Sequence, residues 1–152
     1  GKVVGVDIEI RPHNRKAIES HEMSPLITLV EGSSVDPDVV ASVQSTVADA
    51  PNALVILDSN HSRQHVLAEL RTYARFVGVG SYLVACDGIM KEVVGADRTH
   101  PDWVTDNPQS AVEDFLAENQ DFVVEEPPRP FNEGVITERV TYWPNCFLRR
   151  IR

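Results

Sequence analysis

Three apolar runs in this chain each end on an aspartate: VVGVDIEI from Val3, LVILDSNH from Leu54 and SYLVACDG from Ser81. Runs that are β-branched and aliphatic almost throughout read as strands covered on both faces, the habit of parallel sheets. In an open parallel α/β sheet the carboxyl ends of the strands share one edge, and ligands bind outside that edge. Asp7, Asp58 and Asp87 are therefore expected to face one crevice, where three acids suit a cofactor hydroxyl and a cation.

The segments between the runs carry helix and turn signals. Residues 12–21 hold the helix formers Arg15, Lys16, Ala17, Ile18 and Glu19, residues 27–30 read as a short strand, and Glu31-Gly32-Ser33-Ser34 as the turn that closes it. Asp36-Pro37 reads as a helix start, because the aspartate caps free amides and proline at the first helical position has no amide to leave unpaired. Val39, Val40, Val43 and Val47 follow on one face, and Pro51-Asn52 ends the helix. Over residues 63–77, Val66, Leu67, Leu70, Ala74 and Val77 form a second stripe, closed by Gly78 and Gly80. Asn107-Pro108 restarts a helix through Ala111, Val112, Phe115 and Leu116; residues 122–124 read as a strand, EEPPRP as an extended turn and CFLRRIR as a last strand.

This βαβαβαβ order with right-handed crossovers predicts an α/β fold, a Rossmann-like three-layer sandwich with a mainly parallel sheet. The polar stretch 91–108, with Trp103 and two prolines, is longer than an ordinary connection and reads as a candidate lid. Residues 1–152 are read as one domain, and as an incomplete one. A nucleotide-binding sheet normally opens with a strand and a glycine-rich turn, whereas residue 1 already begins what reads as the second strand.

Composition narrows the partners. Fourteen basic against 23 acidic residues give a net charge of −9, which repels phosphate backbones and anionic lipid. No apolar run approaches the roughly 20 residues that span a bilayer, and no basic leader with a cleavage site opens the chain. A cytoplasmic protein with no nucleic acid and no membrane span is the expectation. Cys86 and Cys146 sit in apolar, strand-like segments without metal or redox spacing, as reduced buried thiols do.

At the strand ends, Asp7 can accept two hydrogen bonds from a ribose cis-diol, or it can be a solvated turn acid. Gly32 and Ser33 offer small groups beside a purine. Asp58 and Asp87 can share a hard divalent cation such as Mg²⁺, which prefers oxygen ligands and keeps waters for a substrate to displace. Such a cation lowers the pKa of a hydroxyl it touches. His61 lies one turn from Asp58 and is a candidate general base, its ordinary pKa lying near neutrality; a capping or packing histidine is the plainer alternative. His13, His21, His65 and His100 show no ligand spacing, and HExxH, GxSxG and GxxxxGK[ST] are absent. Zinc hydrolysis, a serine-hydrolase elbow and a P-loop ATPase are thereby excluded. A nicotinamide dehydrogenase shares this sheet and stays open.

Longer phrases carry more information: VVGVDIEIRPHNRKAIE, ITLVEGSSVDPDVV, VILDSNHSRQHVLAELRTYARFVGVGSYLVACD, AVEDFLAEN and FLRRIR. In this order they resemble the cephalosporin hydroxylase (CmcI) and rhamnosyl O-methyltransferase family over almost the whole chain, with DxxHSxxHVLxEL the most specific stretch. The resemblance implies a class I S-adenosylmethionine-dependent O-methyltransferase acting on a small-molecule hydroxyl acceptor, a sugar or secondary metabolite, and assembling as a homo-oligomer. It implies that Asp7 binds the ribose of S-adenosylmethionine, that Gly32 and Ser33 line the adenine pocket, and that Asp58 and Asp87 belong to a Mg²⁺ site. Two positions depart from the family. Cys86 stands where it commonly has Glu, which removes a charge and an oxygen ligand that Mg²⁺ favours over sulfur. Gly88 stands where it often has Thr. The alternative that these departures raise is a noncatalytic binding or assembly domain retaining the fold.

Overall fold

The computed structural model of the chain describes residues 1–48, 50, 52–127 and 141–152. They divide into two compact units, Gly1–Pro51 and Asn52–Arg152. Pro51, expected to break a helix, and the Pro128-Arg129-Pro130 end of the EEPPRP turn lie outside the described residues.

In the first unit, β1 (Val3–Asp7) and β2 (Ile27–Glu31) pair in parallel, in a register that sets Asp7 beside Glu31. Strand β1 is shorter than its apolar run, because after Asp7 the chain turns back on itself, the Glu9 amide donating to the Asp7 carboxylate at 3.0 Å. Between the strands lies α1 (Pro12–Glu19), which starts on a proline. Helix α2 (Pro37–Val47) follows β2 and starts as its sequence dictates: Asp36 accepts from the amides of Asp38 (2.9 Å) and Val39 (3.4 Å), and Pro37 fills the first turn. Val40 and Val43 are its buried face.

In the second unit, four strands order as β3-β4-β6-β5: β3 (Val55–Leu57), β4 (Tyr82–Ala85), β5 (Phe122–Val124) and β6 (Phe147–Arg150). β3 and β4 are parallel, and β6 is antiparallel to both β4 and β5. Three of the four strands therefore run the same way and only the last is reversed. The expected α/β class with mainly parallel strands holds within each sheet.

Two helices pack together beside this sheet, α3 (Arg63–Tyr73) and α4 (Pro108–Glu118). Val66, Leu70 and Tyr73 of α3 and Ala111, Val112 and Phe115 of α4 are buried, with Leu83 and Leu148 of the sheet fully so. The Phe115 and Phe122 rings meet at 5.6 Å. Burying a side chain such as Leu70 stabilises by roughly 1.5–3 kcal/mol. Two bidentate pairs clamp the helices along their exposed seam, Arg63 on Asp114 (2.7 Å for both bonds) and Arg71 on Glu118 (2.6 and 2.8 Å). The stripe expected over residues 63–77 is helical to Tyr73 and then tightens into a 3₁₀ turn at Ala74–Phe76.

Candidate active site

The segment joining β3 to α3 carries Asp58, Ser59, Asn60 and His61. Its geometry is locally determined. Asn60 accepts from the Ser62 amide at 2.9 Å, an Asx turn that swings the chain from strand to helix. Ser59 donates to Glu69 on α3 at 2.7 Å. The turn brings the His61 ring back toward the strand ends, with Nε2 at 3.4 Å from Asp58 Oδ1 and Nδ1 at 3.5 Å from Asp87 Oδ2.

Asp87 reaches this point from the end of β4. The ladder continues one residue past the strand, the Cys86 amide donating to Leu57 at 2.8 Å. Asp87 then adopts a left-handed backbone (φ 56°, ψ 28°) that opens a 3₁₀ turn over Gly88–Lys91. A side chain on Gly88 would meet Cys146 Sγ at 2.6 Å and the Pro144 carbonyl at 2.9 Å. Gly88 is where β4's exit packs against the segment entering β6, with no room for a side chain.

Asp58, His61 and Asp87 each offer one ligand atom, and these atoms lie within 4.8 Å of one another. The two carboxylate oxygens suit a hard divalent cation, with the imidazole close beside them. Cys86 adds no anionic ligand. It is buried, and burial first, then the charges of Asp58 and Asp87, push its thiol up to about 12. It stays protonated beside the two acids.

His61 also borders a cavity of about 460 Å³, whose other walls include Met90, Arg98, His100, Trp103 and Asp106. Most of them belong to the polar segment 91–108. That segment is not structureless: a 3₁₀ turn spans Pro101–Val104, His100 Nδ1 lies 2.5 Å from Asp102, and Asn107 caps α4 through the Ser110 amide at 2.9 Å. Asp106 accepts from the Arg63 amide at 2.6 Å and so caps α3 from a distance of 43 residues. Ser62, the residue at the cap position itself, contributes no side-chain bond.

The residues expected to bind a cofactor lie in the first unit. Asp7 is exposed at the end of β1, and its carbonyl accepts from the Gly32 amide at 2.8 Å. Gly32 has φ +140°, and a side chain there would meet Val39 Cγ2 at 2.7 Å, so glycine alone fits this turn. Ser33 is half-buried, and its carbonyl receives the Asp36 amide at 3.0 Å ahead of α2.

Sequence reasoning missed Asp106, Glu69 and the role of Cys86. No local pattern marks a cap supplied from another segment. Glu69 does carry a signal: it sits three residues from Val66 and four from His65, on the face that the apolar stripe assigns to the core.

Comparison with known proteins bears on the same residues. The family model described as rhamnosyl O-methyltransferase/CmcI matches residues 1–151. The rhamnosyl O-methyltransferase of Mycobacterium tuberculosis (strain H37Rv) is 35% identical over 88 residues, 57% of this chain and 34% of that protein. The one of Mycobacterium leprae is 31% identical over 87 residues, 57% of this chain and 36% of that protein. The chain thus matches about a third of the length of these curated relatives. Among solved structures, the MycE methyltransferase of the mycinamycin biosynthetic pathway, in complex with Mg and SAH, superimposes on the whole chain with a TM-score of 0.57 at 19% identity, using 38% of its own length. Its complex that also holds mycinamycin VI gives 0.58 at 18%, covering 37% of that chain. The fold is accordingly that of a Rossmann-like methyltransferase.

Proposed function

The chain belongs to the rhamnosyl O-methyltransferase/CmcI family, and from that premise we propose that the protein transfers a methyl group from S-adenosylmethionine to a hydroxyl of a sugar or secondary metabolite, with a divalent cation held by Asp58 and Asp87. The observation that carries this reading is the convergence of Asp58, His61 and Asp87 at the ends of two parallel strands, beside a cavity large enough for a small molecule. The names of the relatives, and the Mg, SAH and mycinamycin VI of the MycE complexes, support it.

When bound, S-adenosylmethionine supplies an already activated sulfonium methyl, and the cation lowers the pKa of the acceptor hydroxyl. The residues do the rest. Asp7 accepts hydrogen bonds from the ribose hydroxyls, while Gly32 and Ser33 give the adenine a wall without bulk. Asp58 and Asp87 fix the cation, and His61 takes the proton from the hydroxyl. Segment 91–108 acts as the lid, with Trp103 and Arg98 bounding the acceptor. Orientation supplies most of the acceleration, since the donor is intrinsically reactive.

Among the described residues no helix is long and apolar enough to cross a membrane. The acceptor is a small molecule in this reading, the assembly a homo-oligomer and the compartment the cytoplasm, and the net charge of −9 argues against nucleic acid. Calorimetric titration of S-adenosylmethionine into the protein, with and without Mg²⁺, tests the proposal. Saturable binding, with a Mg²⁺ response that Asp58→Asn abolishes, is expected. No binding in either condition overturns it and leaves a noncatalytic domain.

A further inference from the structure

Glu69 is the only charged side chain in the buried class among the described residues, at 2% exposure. It lies on the inward face of α3 between Val66 and Leu70, also buried, where a leucine would pack without a desolvation cost. Removing a carboxylate from water is costly, and an apolar residue of similar volume is often as stable or more so. Packing therefore gives no reason for Glu69, and its contacts do. Oε1 accepts the Ser59 hydroxyl at 2.7 Å, and His65 Nε2 lies 3.5 Å from the same oxygen, one turn earlier on α3. Ser59 stands between Asp58 and Asn60, so this bond ties the middle of the strand-end loop to the interior of the helix. The Asx turn at Asn60 fixes the loop's exit, and the Cys86 amide holds Leu57 at its entry.

We propose that Glu69 is a positioning residue for this loop: through Ser59 it holds the backbone from which Asp58 and His61 project. The inference rests on the metal-assisted reading above. A carboxyl oxygen suits the task because it accepts the Ser59 hydroxyl, which an apolar residue of the same volume could not do. His65 Nε2 lies 3.5 Å from the same oxygen, one helical turn away.

The experiment compares wild type with Ser59→Ala, Glu69→Leu, Glu69→Gln and the Ser59→Ala/Glu69→Leu double variant. Hydrogen exchange of amides 58–61 reads loop order, and Mn²⁺ titration by electron paramagnetic resonance reads the cation site. Loss of the tie should speed loop exchange and weaken Mn²⁺ binding by about tenfold in Glu69→Leu, as removal of an outer support does at metal sites. Thermal stability should be kept. Glu69→Gln, which retains an oxygen for Ser59, should stay within about threefold of wild type. Ser59→Ala should match Glu69→Leu, and the double variant should be no worse than either.

Unchanged loop exchange in Ser59→Ala overturns the proposal, as do additive losses in the double variant. Ser59 is exposed, so that variant decides the matter even where Glu69→Leu does not fold. A wild-type protein that binds no Mn²⁺ refutes the metal reading of the site, whereas loop exchange tests Glu69 with no metal present.

Discussion

Replacing Asp106 with alanine removes the one side-chain cap that α3 receives among the described residues. Nothing else at this helix start compensates: Ser62 makes no side-chain bond, and the first turn holds no acid. The Asp106 bond to the Arg63 amide is short, 2.6 Å, as charge-assisted bonds are. Loss of an N-terminal cap costs about 1 kcal/mol, and loss of a negative charge at the positive end of the helix dipole adds roughly 0.3–1 kcal/mol. Asp106→Ala should therefore cost about 1.5–2 kcal/mol. Asp106→Asn keeps the acceptor and loses only the charge, so about 0.5 kcal/mol is expected. Both tryptophans, Trp103 and Trp143, lie in the second unit with this helix, so urea unfolding followed by tryptophan fluorescence reports on the right part of the chain. At 2–4 °C per kcal/mol the alanine variant should melt roughly 3–8 °C lower. Because Asp106 also walls the cavity beside His61, the same variant should weaken cation binding. Stability of Asp106→Ala within about 0.3 kcal/mol of wild type, or an asparagine variant as damaged as the alanine one, would refute the reasoning.

Three further outcomes follow from the geometry. Cys86 and Cys146, both pushed up to about 12 chiefly by burial, hold about one part in 10⁴ of thiolate at pH 8, against about one in four for a free cysteine. Iodoacetamide should modify them at least about 10³-fold more slowly in native than in urea-unfolded protein, and native rates within tenfold of unfolded ones would contradict the assigned burial. Gly88→Ala forces Cys146 Sγ and the Pro144 carbonyl to move and should cost about 1–3 kcal/mol by thermal melting; Cys146→Ala should restore part of that loss, and strict additivity would show that the two sites do not touch. Gly32→Ala must adopt a φ of +140° and displace Val39, so S-adenosylmethionine affinity and the stability of the first unit should fall together; an unaffected titration would remove Gly32 from the proposed adenine wall.

Much of the framework was legible because its causes are local. Asp36-Pro37 and Asn107-Pro108 mark helix starts through atoms two or three residues away, and both caps form as the sequence predicts. The convergence of Asp58 and Asp87 is legible from where apolar runs stop. The order within 91–108 is less legible, since it depends on pairs such as His100 with Asp102 and on Asp106 docking at α3. What stayed hidden is of one kind: contacts between residues distant in sequence. The stripe places Glu69 on the core face, but its partner Ser59 is visible only in the fold. The partners of Arg63 and Arg71, Asp114 and Glu118, come from α4, about 50 residues on. The Cys86 thiol reads as inert packing until Asp58 and Asp87 are placed beside it.

The left-handed backbone at Asp87 divides the fates open to two neighbouring positions. Apart from glycine, only asparagine and aspartate visit that conformation readily, so the substitutions tolerated at position 87 are few, and the mildest trades the charge for an amide. Position 86 continues the β3–β4 ladder and carries no such restriction. A lineage can exchange a carboxylate for a thiol at 86 with the chain path unchanged, while the acid at 87 is held by the shape of the turn as well as by its chemistry. Variation should therefore accumulate at 86 before it reaches 87, while the turn itself persists.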